Sequence, residues 1–218
     1  MKSEELMKSV AQAVSSCTQC VLHHSRKFAV PGEGPADADI MFIGEGPGFY
    51  ENEQGRPFVG PSGKFLDELL AGIHLKRSEV FIGNVVKCRP PSNRDPLPEE
   101  LAACSEYLER QIQAINPKVI VTLGRYSMAY FLPNAKISEI HGRAMNVKGR
   151  LIVAMYHPAA ALHQKSLKST IEADFSRLPD LIAKAMRNQP VIQPEIQQAE
   201  TPEEPAPEKK EPKQLSLF

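Results

Sequence analysis

Four short apolar runs alternate with helical patterns along this chain, and that alternation constrains its fold more than any other feature. The runs are Asp39 to Gly44 (DIMFIG), Val80 to Val86 (VFIGNVV), Lys118 to Leu123 (KVIVTL) and Leu151 to Met155 (LIVAM). All four read as buried strands. Between them, Ser62 to Ile73 sets Phe65, Leu66, Leu69 and Leu70 on one helical face, and Pro98 to Ile115 does the same with Leu101, Leu108, Ile112 and Ile115. A shorter helix is expected over Arg125 to Leu132, ended by Pro133, and a last one over Leu167 to Arg187, kinked or divided at Pro179. Strands alternating with helices predict an α/β domain with a mainly parallel sheet covered on both faces. Functional sites of such sheets lie at the carboxyl ends of the strands.

The 218 residues suffice for one sizeable core and a tail. No apolar run approaches the roughly 20 residues that span a bilayer. The start, MKSEELMKSVAQAV, is charged and amphipathic rather than a signal peptide, so a cytoplasmic location is expected. The chain is formally neutral, but its charge is uneven. Residues 188–218 hold six Glu and three Lys, a net −3, which leaves +3 on residues 1–187. That mildly basic remainder is compatible with DNA without being diagnostic of it. Residues 188–213 carry six of the 19 prolines and no aromatic, a composition that cannot bury enough apolar surface to offset ordering. The organisation expected is a folded domain over 1–187, a disordered linker over 188–213 and a terminal peptide over 214–218.

Cys17 and Cys20 form a CxxC, Cys88 follows the second strand, and Cys104 lies in the following helix. Two disulfides are not expected in a cytoplasmic chain. A CxxC offers two thiolates to one centre, and two more complete a Cys₄ set. On spacing alone, an iron–sulfur cluster and a structural zinc are both open.

Three segments fall where strand ends should be. The first is Gly44-Glu45-Gly46-Pro47-Gly48, followed by Gly55-Arg56-Pro57-Phe58-Val59-Gly60. The second is Gly83-Asn84-Val85-Val86-Lys87-Cys88-Arg89-Pro90-Pro91, followed by Asn93-Arg94-Asp95-Pro96. The third is Tyr156-His157-Pro158-Ala159-Ala160. Singly each is a common turn; together, in this order and with these cysteines, they closely resemble the iron–sulfur-containing family 4 uracil-DNA glycosylases over about residues 17–182. The resemblance implies a three-layer α/β/α sandwich with a four-stranded parallel sheet, and a [4Fe–4S] cluster on Cys17, Cys20, Cys88 and Cys104. It also implies a monomeric, monofunctional hydrolase that cuts the N-glycosidic bond of uracil in DNA to begin base excision repair.

The residues suit that chemistry. A glycosylase flips the base from the stack and reads its edge. Phe58 can stack on the flipped ring, at about 1–3 kcal/mol per base. Asn84 has one donor and one acceptor, which match uracil O4 and N3–H and mismatch cytosine. His157 can donate to uracil O2 as negative charge develops there. Gly46 stands where family 1 glycosylases carry an Asp, as in family 4 generally, and its backbone is assigned to the substrate. Glu45 and Glu51 are the carboxylates available to orient water or to stabilise the cationic sugar. After the HPAA segment the usual Leu-Leu-Arg is replaced by Ala161-Leu162-His163-Gln164-Lys165, with Leu162 and His163 as candidate DNA contacts and Leu162 as the wedge. Asn52 stands where an acidic residue is more usual.

The last residues, Gln214-Leu215-Ser216-Leu217-Phe218, resemble the short peptides with which bacterial repair proteins bind the sliding clamp. A tether of about 25 residues would raise the domain's effective concentration near DNA. The competing reading of the whole chain is a non-catalytic DNA-binding or damage-sensing iron–sulfur protein on the same scaffold. An iron–sulfur electron carrier is opposed by the lack of a nicotinamide or flavin fingerprint, since Gly44-x-Gly46-x-Gly48 is not GxGxxG.

Overall fold

The structure, a computed structural model, describes residues 3–187. The expected linker and terminal peptide lie outside the described residues.

Five strands form one sheet in the order β2-β1-β3-β5-β4. They are β1 Ile40–Gly44, β2 Phe81–Asn84, β3 Val119–Leu123, β4 Arg143–Val147 and β5 Arg150–Met155. The four expected strands are the parallel set, within a few residues of their expected bounds. The expectation of only four strands is corrected. β4 pairs antiparallel with β5 at the edge, through a hairpin whose Lys148 (φ 51°) and Gly149 (φ 80°) are both left-handed. A two-residue turn with two positive φ values matches the twist of the strands it joins.

The helices are α1 Ser3–Ser16, α2 Phe49–Gln54, α3 Pro61–Gly72, α4 Pro98–Ile115, α5 Arg125–Phe131, α6 Ile137–Ile140, α7 Pro158–His163, α8 Leu167–Ser176 and α9 Leu178–Met186. The expected C-terminal helix is indeed divided. α8 stops at Ser176, and Pro179 sits in the first turn of α9, where its missing N–H costs nothing.

Every residue of β1, β2 and β3 is buried, as a sheet covered on both faces requires. Ile40 and Phe42 point to one face and pack with Leu66, Leu70 and Phe175 from α3 and α8. Met41 and Ile43 point to the other, with Leu108 and Ile112 of α4. Strand alternation thus divides one apolar run between two cores. α1 packs outside α4 through Val10, Val14 and Tyr107. This third contact brings the chain after α1, with Cys17 and Cys20, up to Cys104 on α4.

Among the described residues no helix is long and apolar enough to cross a membrane.

Candidate active site

The loops leaving β1, β2 and β5 enclose a cavity of about 460 Å³. This lies within the roughly 300–1,000 Å³ range of small-molecule sites. Glu45, Gly46, Glu51, Phe58, Asn84 and His157 all line it, so the structure brings together every residue assigned above to chemistry or base reading. His163 also lines it; Leu162 is not among the lining residues and stands half exposed on α7. Asn93, Arg94 and Asp95 complete the wall, although the sequence had assigned them no role.

Asn84 is the last residue of β2 and is 1% exposed. Its Oδ1 has no hydrogen-bond partner among the described residues, the one such buried side-chain atom found there. Buried amide oxygens are nearly always satisfied, so an orphan on a residue that lines a cavity is a place where a ligand atom can supply the missing partner. Gly44 makes room for it: a Cβ there would lie 2.5 Å from Asn84 Oδ1 and 2.6 Å from Phe58 Cζ.

Phe58 is held in a left-handed conformation (φ 50°), its ring near-parallel to that of His157 with centroids 5.5 Å apart. The backbone beneath it requires Gly63, whose Cβ would fall 1.9 Å from the Phe58 carbonyl oxygen. A glycine in the first turn of α3, where a better helix former would otherwise stand, was the available sign of that close approach.

Glu51 fastens the Phe58 loop. Its Oε1 accepts from Val59 N–H at 2.8 Å and Gly60 N–H at 2.9 Å, and its Oε2 accepts from Gly48 N–H at 3.1 Å. The side chain is buried, not the solvated loop charge it could have been. Glu45 sits across the cavity at the start of α5, where Tyr126 N–H donates to its Oε1 at 3.2 Å. Burial raises its carboxyl above the ordinary range, against the pull of Tyr126 N–H and Arg125. Gly124 (φ 97°) permits the approach, since a Cβ there would lie 2.4 Å from Glu45 Oε1. Gly46 packs against Val86, whose Cγ2 would be 2.7 Å from an added Cβ, so a side chain at 46 would have to displace a fully buried valine.

His157 is the N-cap of α7, and Pro158 occupies the first helical position. Its Nδ1 accepts a hydrogen bond from Ala159 N–H at 3.1 Å. A nitrogen that accepts carries no proton, so the neutral ring holds its hydrogen on Nε2. Burial pushes its pKa down to about 4, against a smaller upward pull from Glu51.

On the far side of β2, Cys17, Cys20, Cys88 and Cys104 line one small cavity. Arg26 Nη1 donates to Cys88 Sγ at 3.3 Å, and Lys87 N–H donates to Cys104 Sγ at 3.4 Å. Burial raises the Cys88 thiol and pushes that of Cys104 up to about 11. Among the described residues, no group of three or more His, Cys, Asp or Glu side chains is placed to hold a single metal ion.

What can enter the larger cavity is limited. A planar ring suits the Phe58 face, a polar edge suits Asn84, and an acceptor oxygen suits His157 Nε2–H. A nucleobase meets all three demands, and the carboxyl end of a parallel sheet is where an α/β protein would hold one. The family model of the uracil DNA glycosylase superfamily matches residues 31–177. The type-4 uracil-DNA glycosylase of Archaeoglobus fulgidus is 43% identical over 189 residues, covering 83% of this chain and 95% of the relative. That of Sulfurisphaera tokodaii is 45% identical over 185 residues, covering 80% and 84%, and that of Thermotoga maritima is 43% identical over 186, covering 83% and 97%. The chain belongs to the uracil-DNA glycosylase superfamily, and within it to the type-4 family.

The depressed pKa of His157 has a consequence for stability. Unfolded, the ring takes a proton below about pH 6.5; folded, it resists protonation down to about 4. Its contribution to stability is therefore complete above about 6.5 and is lost as pH falls toward 4. Relative to His157→Asn, the wild type should lose on the order of 2 kcal/mol between about pH 7 and pH 5. Denaturant unfolding at the two pH values measures this, and parallel curves for the two proteins would contradict a buried neutral ring.

Proposed function

We propose that this protein is a uracil-DNA glycosylase that hydrolyses the N-glycosidic bond of uracil in DNA as the first step of base excision repair. The observation that carries the reading is the unpartnered, buried Oδ1 of Asn84, a residue that lines one cavity with a neutral His157.

In this reading Phe58 stacks on the flipped uracil while the Asn84 amide pairs with O4 and N3–H. Cytosine presents the reverse pattern and leaves both amide groups mispaired, which buried polar groups tolerate poorly. As the bond between C1′ and N1 breaks, its electron pair departs with the base and positive charge grows on the sugar. His157 Nε2–H donates to uracil O2, where the negative charge gathers. A neutral donor serves here because its interaction strengthens as the anion forms, without a proton being lost in the ground state. Water adds to C1′, and the proton it releases passes by way of solvent to the uracil anion, which completes the hydrolysis. Glu45 is assigned to orient that water. Glu51, with both oxygens taken by backbone N–H groups, is assigned to hold Phe58 and to bias the field at His157. The Gly46 backbone borders the base, and Leu162 and His163 are assigned to the DNA, with Leu162 filling the gap in the stack.

The four cysteines are proposed to hold a [4Fe–4S] cluster, as the family resemblance implies. Four cysteines line one cavity, and the sulfurs of Cys17, Cys88 and Cys104 accept N–H hydrogen bonds of the kind that tune cluster thiolates. The cluster ties the segment after α1 to the β2 loop and α4, and it supplies no step of the hydrolysis.

The decisive assay is base release from oligonucleotides carrying one uracil, with thymine and cytosine controls. Wild type should act on uracil alone, and His157→Ala should fall by about 10²–10³-fold, the usual loss for one oxyanion donor. Asn84→Asp, whose ionised carboxylate has no N–H to give uracil O4, should lose discrimination as well as rate. Release that is indifferent to both substitutions would remove the assigned roles.

Gln214, Leu215, Ser216, Leu217 and Phe218 are proposed to bind a bacterial sliding clamp. Deleting residues 214–218 should abolish co-elution with the clamp and leave activity on short oligonucleotides unchanged; undiminished co-elution would end this assignment.

A further inference from the structure

Lys87 is a buried cation that the reaction scheme above does not use. The residue is 1% exposed. Its Nζ donates to the carbonyl oxygen of Asn84 at 2.8 Å and to Gln111 Oε1 at 2.6 Å. Gln111, itself 1% exposed, is fixed in turn because its Nε2 donates to the Pro31 carbonyl at 2.5 Å. Both acceptors of Nζ are neutral, and among the described residues no carboxylate pairs with it. An enclosed ammonium without opposite charge is costly, and anionic character beside it would offset that cost. The sulfurs are what the structure offers. Lys87 lines the cavity of the four cysteines, its backbone N–H donates to Cys104 Sγ at 3.4 Å, and the next residue is Cys88. One residue therefore touches the cysteine cavity and the strand end that presents the base-reading amide.

We propose that Lys87 is a positioning residue that couples the cysteine centre to base recognition. Its ammonium balances the anionic cluster, and its hydrogen bond to the Asn84 carbonyl fixes the backbone from which Asn84 reads uracil. Partners of this kind behind metal ligands are worth about 10- to 100-fold in metal affinity or activity. The inference rests on the glycosylase and cluster readings.

The test compares full-length wild type, Lys87→Met and Lys87→Gln, each purified with its iron. Three quantities are measured: iron per chain with its rate of loss to a chelator, KM and kcat for uracil release, and hydrogen exchange of peptides spanning residues 81–88. Lys87→Met should release iron faster, exchange faster at residues 84–86, and lose kcat by about 10- to 100-fold while cytosine rejection weakens. Lys87→Gln keeps an N–H for the Asn84 carbonyl without the charge. It should recover exchange protection and kcat but not iron retention, a split that a merely space-filling residue would not produce. Iron retention, exchange and kinetics of Lys87→Met that match wild type would overturn the proposal.

Should neither variant fold, anaerobic removal of iron from folded wild type gives the same reading. Exchange at 84–86 must then rise before the rest of the sheet opens, and unchanged or uniform exchange overturns the coupling. A wild type without iron removes the cluster reading and this inference with it. Iron present and exchange coupled, but no uracil released, removes the glycosylase reading alone.

Discussion

The pocket depends on one buried carboxylate. Glu51 accepts three backbone hydrogen bonds, from Gly48 in the loop after β1 and from Val59 and Gly60 beyond Phe58. Hydrogen bonds to a charged acceptor contribute roughly 1.5–3 kcal/mol each, more than neutral ones. They close two loops onto one another and offset a conformation that Phe58 would not adopt unaided. Gly63 supplies the remaining condition by letting α3 pass against the Phe58 backbone. With those constraints met, the Phe58 ring can face His157, and the cavity acquires a flat wall before any substrate arrives.

Preorganisation extends to the proton on His157. The N-terminus of α7 offers free backbone N–H groups, and one of them, from Ala159, occupies Nδ1. The same contact fixes ring orientation and tautomer, so Nε2–H is the group left for the cavity. Burial then keeps the ring neutral at physiological pH. An imidazolium would attract any anion, including phosphate; a neutral donor favours charge chiefly where it is being created. The raised carboxyl of Glu45, opposite and at the start of α5, is a second group whose environment has been set by the fold rather than by its own chemistry.

The parallel strands were legible because both sheet faces are covered, which turns each strand into an apolar run. β4 was not. Its sequence RAMNV mixes exposed and buried positions at the sheet edge, and its turn uses Lys148-Gly149 in place of the Asn-Gly that would have announced a hairpin. Asn84, His157 and Phe58 stood out because each lies in a segment of unusual turn composition at a strand end, and the resemblance assigned their roles. The division between Glu45 and Glu51 could not be read, since two of Glu51's three partners lie eight and nine residues away and become neighbours only when the loops close. Lys87 was hidden for a related reason. A lysine in sequence is presumed solvated, and its burial follows from where β2, α4 and the cysteine cavity meet.

In the proposed glycosylase, uracil meets a neutral His157 that offers it Nε2–H. Nitrogen NMR of the histidine rings, recorded at neutral pH with free uracil bound and His157 assigned by substitution, measures this directly. The expected result is a neutral ring with its proton on Nε2 and a marked shift of that proton when uracil binds. A doubly protonated ring, or one with its proton on Nδ1, would contradict it.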